Sequence, residues 1–239
     1  MVHAVSGFDQ PVTVPAEQGA NRFVWNMRVA GARDVGAAMR IGFLGGPVAL
    51  PGTYQVRLTV NGQAVTRPFE IRRDPRLTVT DDDLKSQFDF LLSVRDKLTE
   101  VHDAVLDVRD IRARVQQWVT RTEGLPGAGP LAGAAKELNS ELDRIEDALI
   151  QWRAEAFEDT FHYPVRLNNR LATIADLTNM ASSAPTRQML ELYAELEAKA
   201  DARLNGLEEV RNRECATFGD ALRELAIPPI RVRPREDRG

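Results

Sequence analysis

The apolar residues of this chain recur at every second position up to about residue 75, then at every third or fourth position from about residue 80. That one change of period constrains the fold more than any other feature. TYQVRLTV (53–60) sets Tyr54, Val56, Leu58 and Val60 on one side of a strand. Asn61-Gly62 follows, the dipeptide that best tolerates the positive φ angles of a two-residue hairpin turn. QAVTRPFEIR (63–72) then returns as the partner strand, with Pro68 suiting a sheet edge. NRFVWNMRV (21–29) alternates through Phe23, Trp25 and Met27, and weaker segments around VHAVSG (2–7) and PVTVP (11–15) precede it. Residues 1–76 are therefore expected to form a small antiparallel, immunoglobulin-like β-sandwich of roughly five to seven strands. It looks short of an opening strand, which would leave a sheet edge unpaired.

Arg72-Arg73-Asp74-Pro75-Arg76 forms the joint to a helical half, residues 77–229. Thr80 with Asp83 three residues later is a capping pair, and Asp81, Asp82 and Asp83 complement the helix dipole. Leu84, Phe88, Leu91, Leu98, Val101, Val105, Val108, Val115 and Trp118 then form one apolar seam. EGLPGAGP (123–130) breaks it, and Pro130 opens a second helix carrying Leu131, Ala135, Leu138, Leu142, Ile145, Leu149 and Trp152. A shorter helix holds Leu167, Leu171 and Ile174, and a last long one after Pro185 holds Met189, Leu192, Leu196, Ala200, Leu207, Phe218, Leu222 and Leu225. The class expected is α+β multidomain, the sandwich followed by an antiparallel, up-down helical bundle. Four helices are expected, or three if the second and third merge through a kink at Pro164. Residues 230–239 read as a disordered tail.

Charge and composition narrow the function classes. The net charge of −4 hides an asymmetry, because residues 1–76 carry nine arginines against five acidic residues. No aromatic-interleaved basic face accompanies those arginines, so nucleic acid is not an expected partner. The run at 41–52 is interrupted by glycine and proline and too short to span a bilayer, so no membrane partner is expected. A lone cysteine, Cys215, permits neither an internal disulfide nor a thiolate zinc site. No export signal is read in the first residues, and the compartment stays open.

Candidate chemistry is thin. His102 with Asp103 and Asp107 lies on one helix with successive residues on different faces, so no metal is expected there. The Asp81–Asp83 run reads as a helix start. Glycosidase chemistry needs two carboxylates facing across a pocket, and no such pocket is evident. No catalytic residue, cofactor or metal site is assigned. FHYPVRLNNRLATI (161–174) concentrates polar groups at a helix start, where Pro164 holds Tyr163 extended and Arg166, Asn168 and Asn169 can satisfy loop carbonyls or nearby acids. The loop with Ile41, Phe43 and Leu44 is a candidate interaction surface if it stays exposed. Trp25, Tyr54, Trp118 and Trp152 read as core.

The order NRFVW, PGTYQVRLTVNG, DPR and YPVRLNN, spread over residues 19–229, resembles the C-terminal region of large bacterial β-propeller proteins. These are sortilin-like, Asp-box (neuraminidase-type) repeat proteins often labelled glycosyl hydrolase. The first half is also similar to the immunoglobulin-like domain of the flagellar hook-cap family. The resemblance implies an appendage to a propeller, with relatives often outside the cytoplasm. Tyr163, Pro164, Arg166, Asn168 and Asn169 match a motif of that region, and no catalytic residues carry over. The chain departs from the pattern in lacking any Ser-x-Asp-x-Gly-x-Thr-Trp box, in having Asn26 where the family has Asp, and in the loop before Tyr163. A hydrolase label would belong to the absent propeller.

The expectation is a non-catalytic interaction or scaffolding module whose partner is a separate β-propeller chain or a second copy of itself. A glycan-binding protein or weak glycosyl hydrolase relative is the alternative, favoured if Trp25 or Tyr54 lies exposed beside paired carboxylates.

Overall fold

The computed structural model describes residues 14–36, 42–154, 159, 162–225 and 227. Within these it holds one two-stranded antiparallel sheet and four helices. The segments VHAVSG and residues 11–13, the position Ile41 and the 230–239 tail lie outside the described residues.

Strands β1 (Gly52–Val60) and β2 (Gln63–Ile71) pair from Gly52 opposite Ile71 to Val60 opposite Gln63. Asn61 and Gly62 adopt φ of 49° and 80°, as the sequence predicts for a two-residue turn whose twist matches the strands. Val60 and Gln63 flank the turn as a hydrogen-bonded pair, so alternation makes Gln55 opposite Pro68 a non-hydrogen-bonded pair. The missing N–H of Pro68 therefore faces the open edge of β2 and costs the ribbon nothing.

The alternating stretch 21–29 does not become a strand. Met27 takes a positive φ of 58°, Arg28 N donates to Asn26 Oδ1, and only Arg28 bridges Val48. Residues 27–32 and 44–49 instead run side by side, with Ala49 N to Met27 O at 2.7 Å and Ala32 N to Leu44 O at 2.7 Å. They approach too closely for side chains: a Cβ on Gly46 would sit 2.3 Å from Val29 O, and one on Gly31 2.3 Å from Leu44 O.

Helix α1 (Asp81–Thr122) opens with the expected capping box, Thr80 Oγ1 accepting from Asp83 N and the Asp83 carboxylate accepting from Thr80 N. Its 42 residues make a rod of about 63 Å. Helices α2 (Gly129–Leu149), α3 (Leu167–Asn179) and α4 (Arg187–Glu224) close on it, and α1 touches all three. The core runs through Val94, Leu98, Val101, Val105, Val108, Leu138, Leu142, Leu149, Leu171 and Leu196. The seams are those read from the sequence, with local changes of phase. On α1, Phe90 and Val94 are buried where Leu84 and Phe88 are only partly so. On α4, Tyr193 takes the inward place expected of Leu192, because its ring meets Phe90 edge-on and its hydroxyl donates to Ser93 O at 3.1 Å.

From the segments 28–36 and 42–46, several residues pack on the helices. Val35 is buried in the helical core, with Ala32, Phe43 and Leu44 against it. Arg28 donates from Nη1 to Gly46 O and Asn179 Oδ1 and lies 4.7 Å from the Phe43 ring centroid. Arg33 pairs with Asp103, and Phe43 N donates to Ala172 O. Gly46→Ala should lower stability by roughly 1–3 kcal/mol, because backbone carbonyls rather than a movable side chain obstruct the new Cβ. Urea unfolding of the variant beside the parent, with its midpoint shifted down, is the check.

Candidate interaction surface

The register of the ribbon sorts its residues by face. Tyr54, Val56, Leu58 and Val60 share one side with Gln63, Val65, Arg67 and Phe69, while Thr53, Gln55, Arg57, Thr59, Ala64, Thr66, Pro68 and Glu70 share the other. Apart from Gln63 and Arg67 the first side is apolar, and it is open: Val56, Leu58, Val60 and Val65 are each more than half exposed. Among the described residues only its base is covered. Phe69 stacks on Tyr54 with centroids 5.8 Å apart and meets the Trp25 edge at 6.2 Å. Scattered surface leucines need no explanation, but a contiguous apolar strip on a two-stranded ribbon does.

Trp25 and Tyr54 are half-buried, and their polar ends are used internally. Trp25 Nε1 donates to Arg28 O at 2.9 Å and Tyr54 OH to Leu50 O at 2.8 Å. Of the other expected core rings, Trp118 packs partly on the helical core, whereas Trp152 is 52% exposed beneath the Arg153 guanidinium. α2 ends at Leu149, so Trp152 lies past the helix and off its seam.

The loop expected to offer Ile41, Phe43 and Leu44 is turned the other way. Phe43 and Leu44 are partly buried against the helices, and Ile41 falls outside the described residues. Gly42, at φ 89° and with no room for a Cβ beside Ala172, lets that loop reach α3.

The Tyr163–Asn169 motif is placed at the start of α3, as read, with Pro164 three residues before the first helical residue. Arg166 is the N-cap and pairs with Asp147 at 2.6 Å, and Gln151 Nε2 donates to Pro164 O. Tyr163 N donates to Asp159 O. Asn168 and Asn169 are buried, and their Oδ1 atoms have no hydrogen-bond partner among the described residues. Successive helical residues point about 100° apart, so these two amides do not converge on a common ligand. Among the described residues the motif gathers no reactive set.

Of the acidic candidates, Asp83 serves the Thr80 cap, whose hydrogen bonds hold its carboxyl below the usual range. His102 is buried with Nδ1 donating to Arg33 O, and Asp103 pairs with Arg33. Among the described residues no group of three His, Cys, Asp or Glu is placed to hold a metal ion, and no helix is long and apolar enough to cross a membrane.

Sequence reasoning missed one charged cluster. Glu146 on α2 is buried and accepts from Arg109 Nε at 2.8 Å and Arg112 Nη1 at 2.7 Å, while Arg112 also reaches Asp143. The signal was present as two i,i+3 pairs of opposite sign, 109 with 112 and 143 with 146, on helices expected to pack. It clamps α1 to α2.

No family model matches the chain, and neither any curated protein nor any solved structure matches it.

Glu146→Ala leaves two arginines without their shared carboxylate. Because both guanidinium groups are about one-third exposed, the loss should be roughly 2 kcal/mol rather than that of a fully buried triad. On a chain of this size that lowers the melting temperature by about 4–8 °C. Glu146→Gln should lose less, and calorimetry of both variants makes the comparison.

Proposed function

We propose that the chain is a non-catalytic interaction module corresponding to the C-terminal appendage of a β-propeller protein. The observation that carries the reading is the open apolar face of the ribbon. A two-stranded hairpin is marginal alone in water, and a sheet needs a third strand or a packed layer to stand independently. The ribbon presents Val56, Leu58, Val60 and Val65 with nothing upon them among the described residues. In this reading β1 and β2 are the part of an immunoglobulin-like sandwich that this chain contributes, and a partner's β-structure supplies the remainder. The helices, joined in an up-down antiparallel bundle, are the rigid base that holds the ribbon out. The resemblance of NRFVW, PGTYQVRLTVNG, DPR and YPVRLNN to propeller-associated regions supports a propeller chain as that partner.

The inward use of the Trp25 and Tyr54 polar groups weighs against the glycan-binding alternative, since a sugar platform needs a free ring face and free polar groups beside it.

Leu58→Asp tests the reading. It sits mid-face, 58% exposed and far from the helices, so it should leave the melting temperature within about 2 °C. Immobilised residues 1–239 should retain a propeller chain from lysate of the source organism, and the variant should lose it. Retention of the same chain by the variant, or of none by the parent, sinks the proposal.

A further inference from the structure

The two edges of the ribbon are not equivalent. The non-hydrogen-bonded positions, whose N–H and C=O groups point outward, are Thr53, Gln55, Arg57 and Thr59 on β1 and Ala64, Thr66, Pro68 and Glu70 on β2. On β2 the row is broken in its middle by Pro68, which cannot donate. On β1 it is unbroken, every member is exposed, and no described backbone group outside the ribbon bonds to it. Both edges border the same apolar face, but only β1 offers a continuous template for another strand.

Charge specifies that strand further. Arg57 lies at the centre of the polar side of β1, opposite Thr66 and diagonal to Ala64 and Pro68. Among the described residues no carboxylate lies within ion-pair distance of it, whereas Arg72, Arg73 and Arg76 are paired with Glu70, Asp81 and Asp74. A neighbouring strand would set its own polar residue beside Arg57, and an acid is the residue that completes the pair.

A second copy fits poorly. A face of nine residues by two strands covers about 300 Å², so two apposed ribbons bury roughly 600 Å², half the lower bound for a specific interface. Pairing β1 with its own twin about Val56 would place Arg57 diagonal to the twin's Arg57 on one polar face, a like-charge contact.

We infer that the outer edge of β1 accepts one extended strand from another polypeptide, apolar on the side of Val56 and Leu58 and bearing an acidic residue beside Arg57. This rests on the interaction-module reading and names the edge and the chemistry of its occupant.

The test uses the full chain and a fluorescein-labelled synthetic strand of about ten residues, the length of the ribbon's own strands. It alternates valine with threonine and carries one glutamate at the centre of the threonine side. A second probe has lysine there. Anisotropy should show the glutamate probe bound roughly two- to fivefold tighter than the lysine probe. Arg57→Glu should reverse that order, a result that misfolding cannot produce. Gln55→Pro removes an outward donor from β1 and should weaken binding at least about tenfold. Thr66→Pro makes the same change on β2 and should leave binding within about twofold.

Absence of binding by either probe overturns the inference, as does equal weakening by the two proline variants or an order of preference that Arg57→Glu leaves unchanged. A dimer of the parent chain that Gln55→Pro dissociates gives the edge to a second copy instead and overturns the choice of occupant. If Leu58→Asp abolishes propeller capture while Gln55→Pro preserves it, the edge assignment falls and the interaction module stands. If the parent captures no propeller chain, the module reading falls.

Discussion

The apolar seam of α1 is the surface on which everything else closes. Val94, Leu98, Val101, Val105 and Val108 are each at most 1% exposed, and they are spaced by three and four residues over four turns of one helix. Burying five such side chains contributes on the order of 10 kcal/mol before entropy is charged against it. That is enough to make α1 the reference element. α2, α3 and α4 pack against it, and so does Val35 from the glycine-lined segment near the start of the chain. Polar groups then fix rotation and height along the seam: Glu146 between Arg109 and Arg112, Lys97 to Asp201, and Tyr193 to Ser93 O.

This arrangement explains how residues far apart in sequence come to share one core. The 27–32 and 44–49 segments lie backbone to backbone because Gly31 and Gly46 lack side chains, and Val35 and Phe43 then reach the helices. Arg28 secures the junction, and partial burial pulls its guanidinium below its ordinary pKa. The ribbon springs directly from this support, and its link to α1 is short and cross-braced by Arg73 to Val79 O and Asp81.

Elements governed by local rules were legible in the sequence. The Asn61-Gly62 turn, the Thr80–Asp83 cap and the period of the long helices follow from a few adjacent residues. Where the reading departed from the structure, a distant contact decided the matter. Phe23, Trp25 and Met27 alternate as a strand would, yet Asn26 turns the chain and Met27 adopts a positive φ to meet Ala49. Phe43 and Leu44 looked like a surface loop because nothing local shows that Gly42 fits against Ala172. Trp152 was assigned to a seam that stops at Leu149. The Glu146 clamp needed two helices to be read together. The ribbon's open face belongs to the legible part: the alternation of TYQVRLTV says which side is apolar, though not what lies upon it.

Pro68 carries a consequence for stoichiometry. A sheet with two receptive borders can grow in both directions, and identical units then string into fibres. Here one border has a gap at its midpoint where a newcomer would find no donor. Addition at the other border uses up the single good template. On the proposed reading the ribbon would have a valence of one, and an assembly made through it would end as a pair instead of propagating.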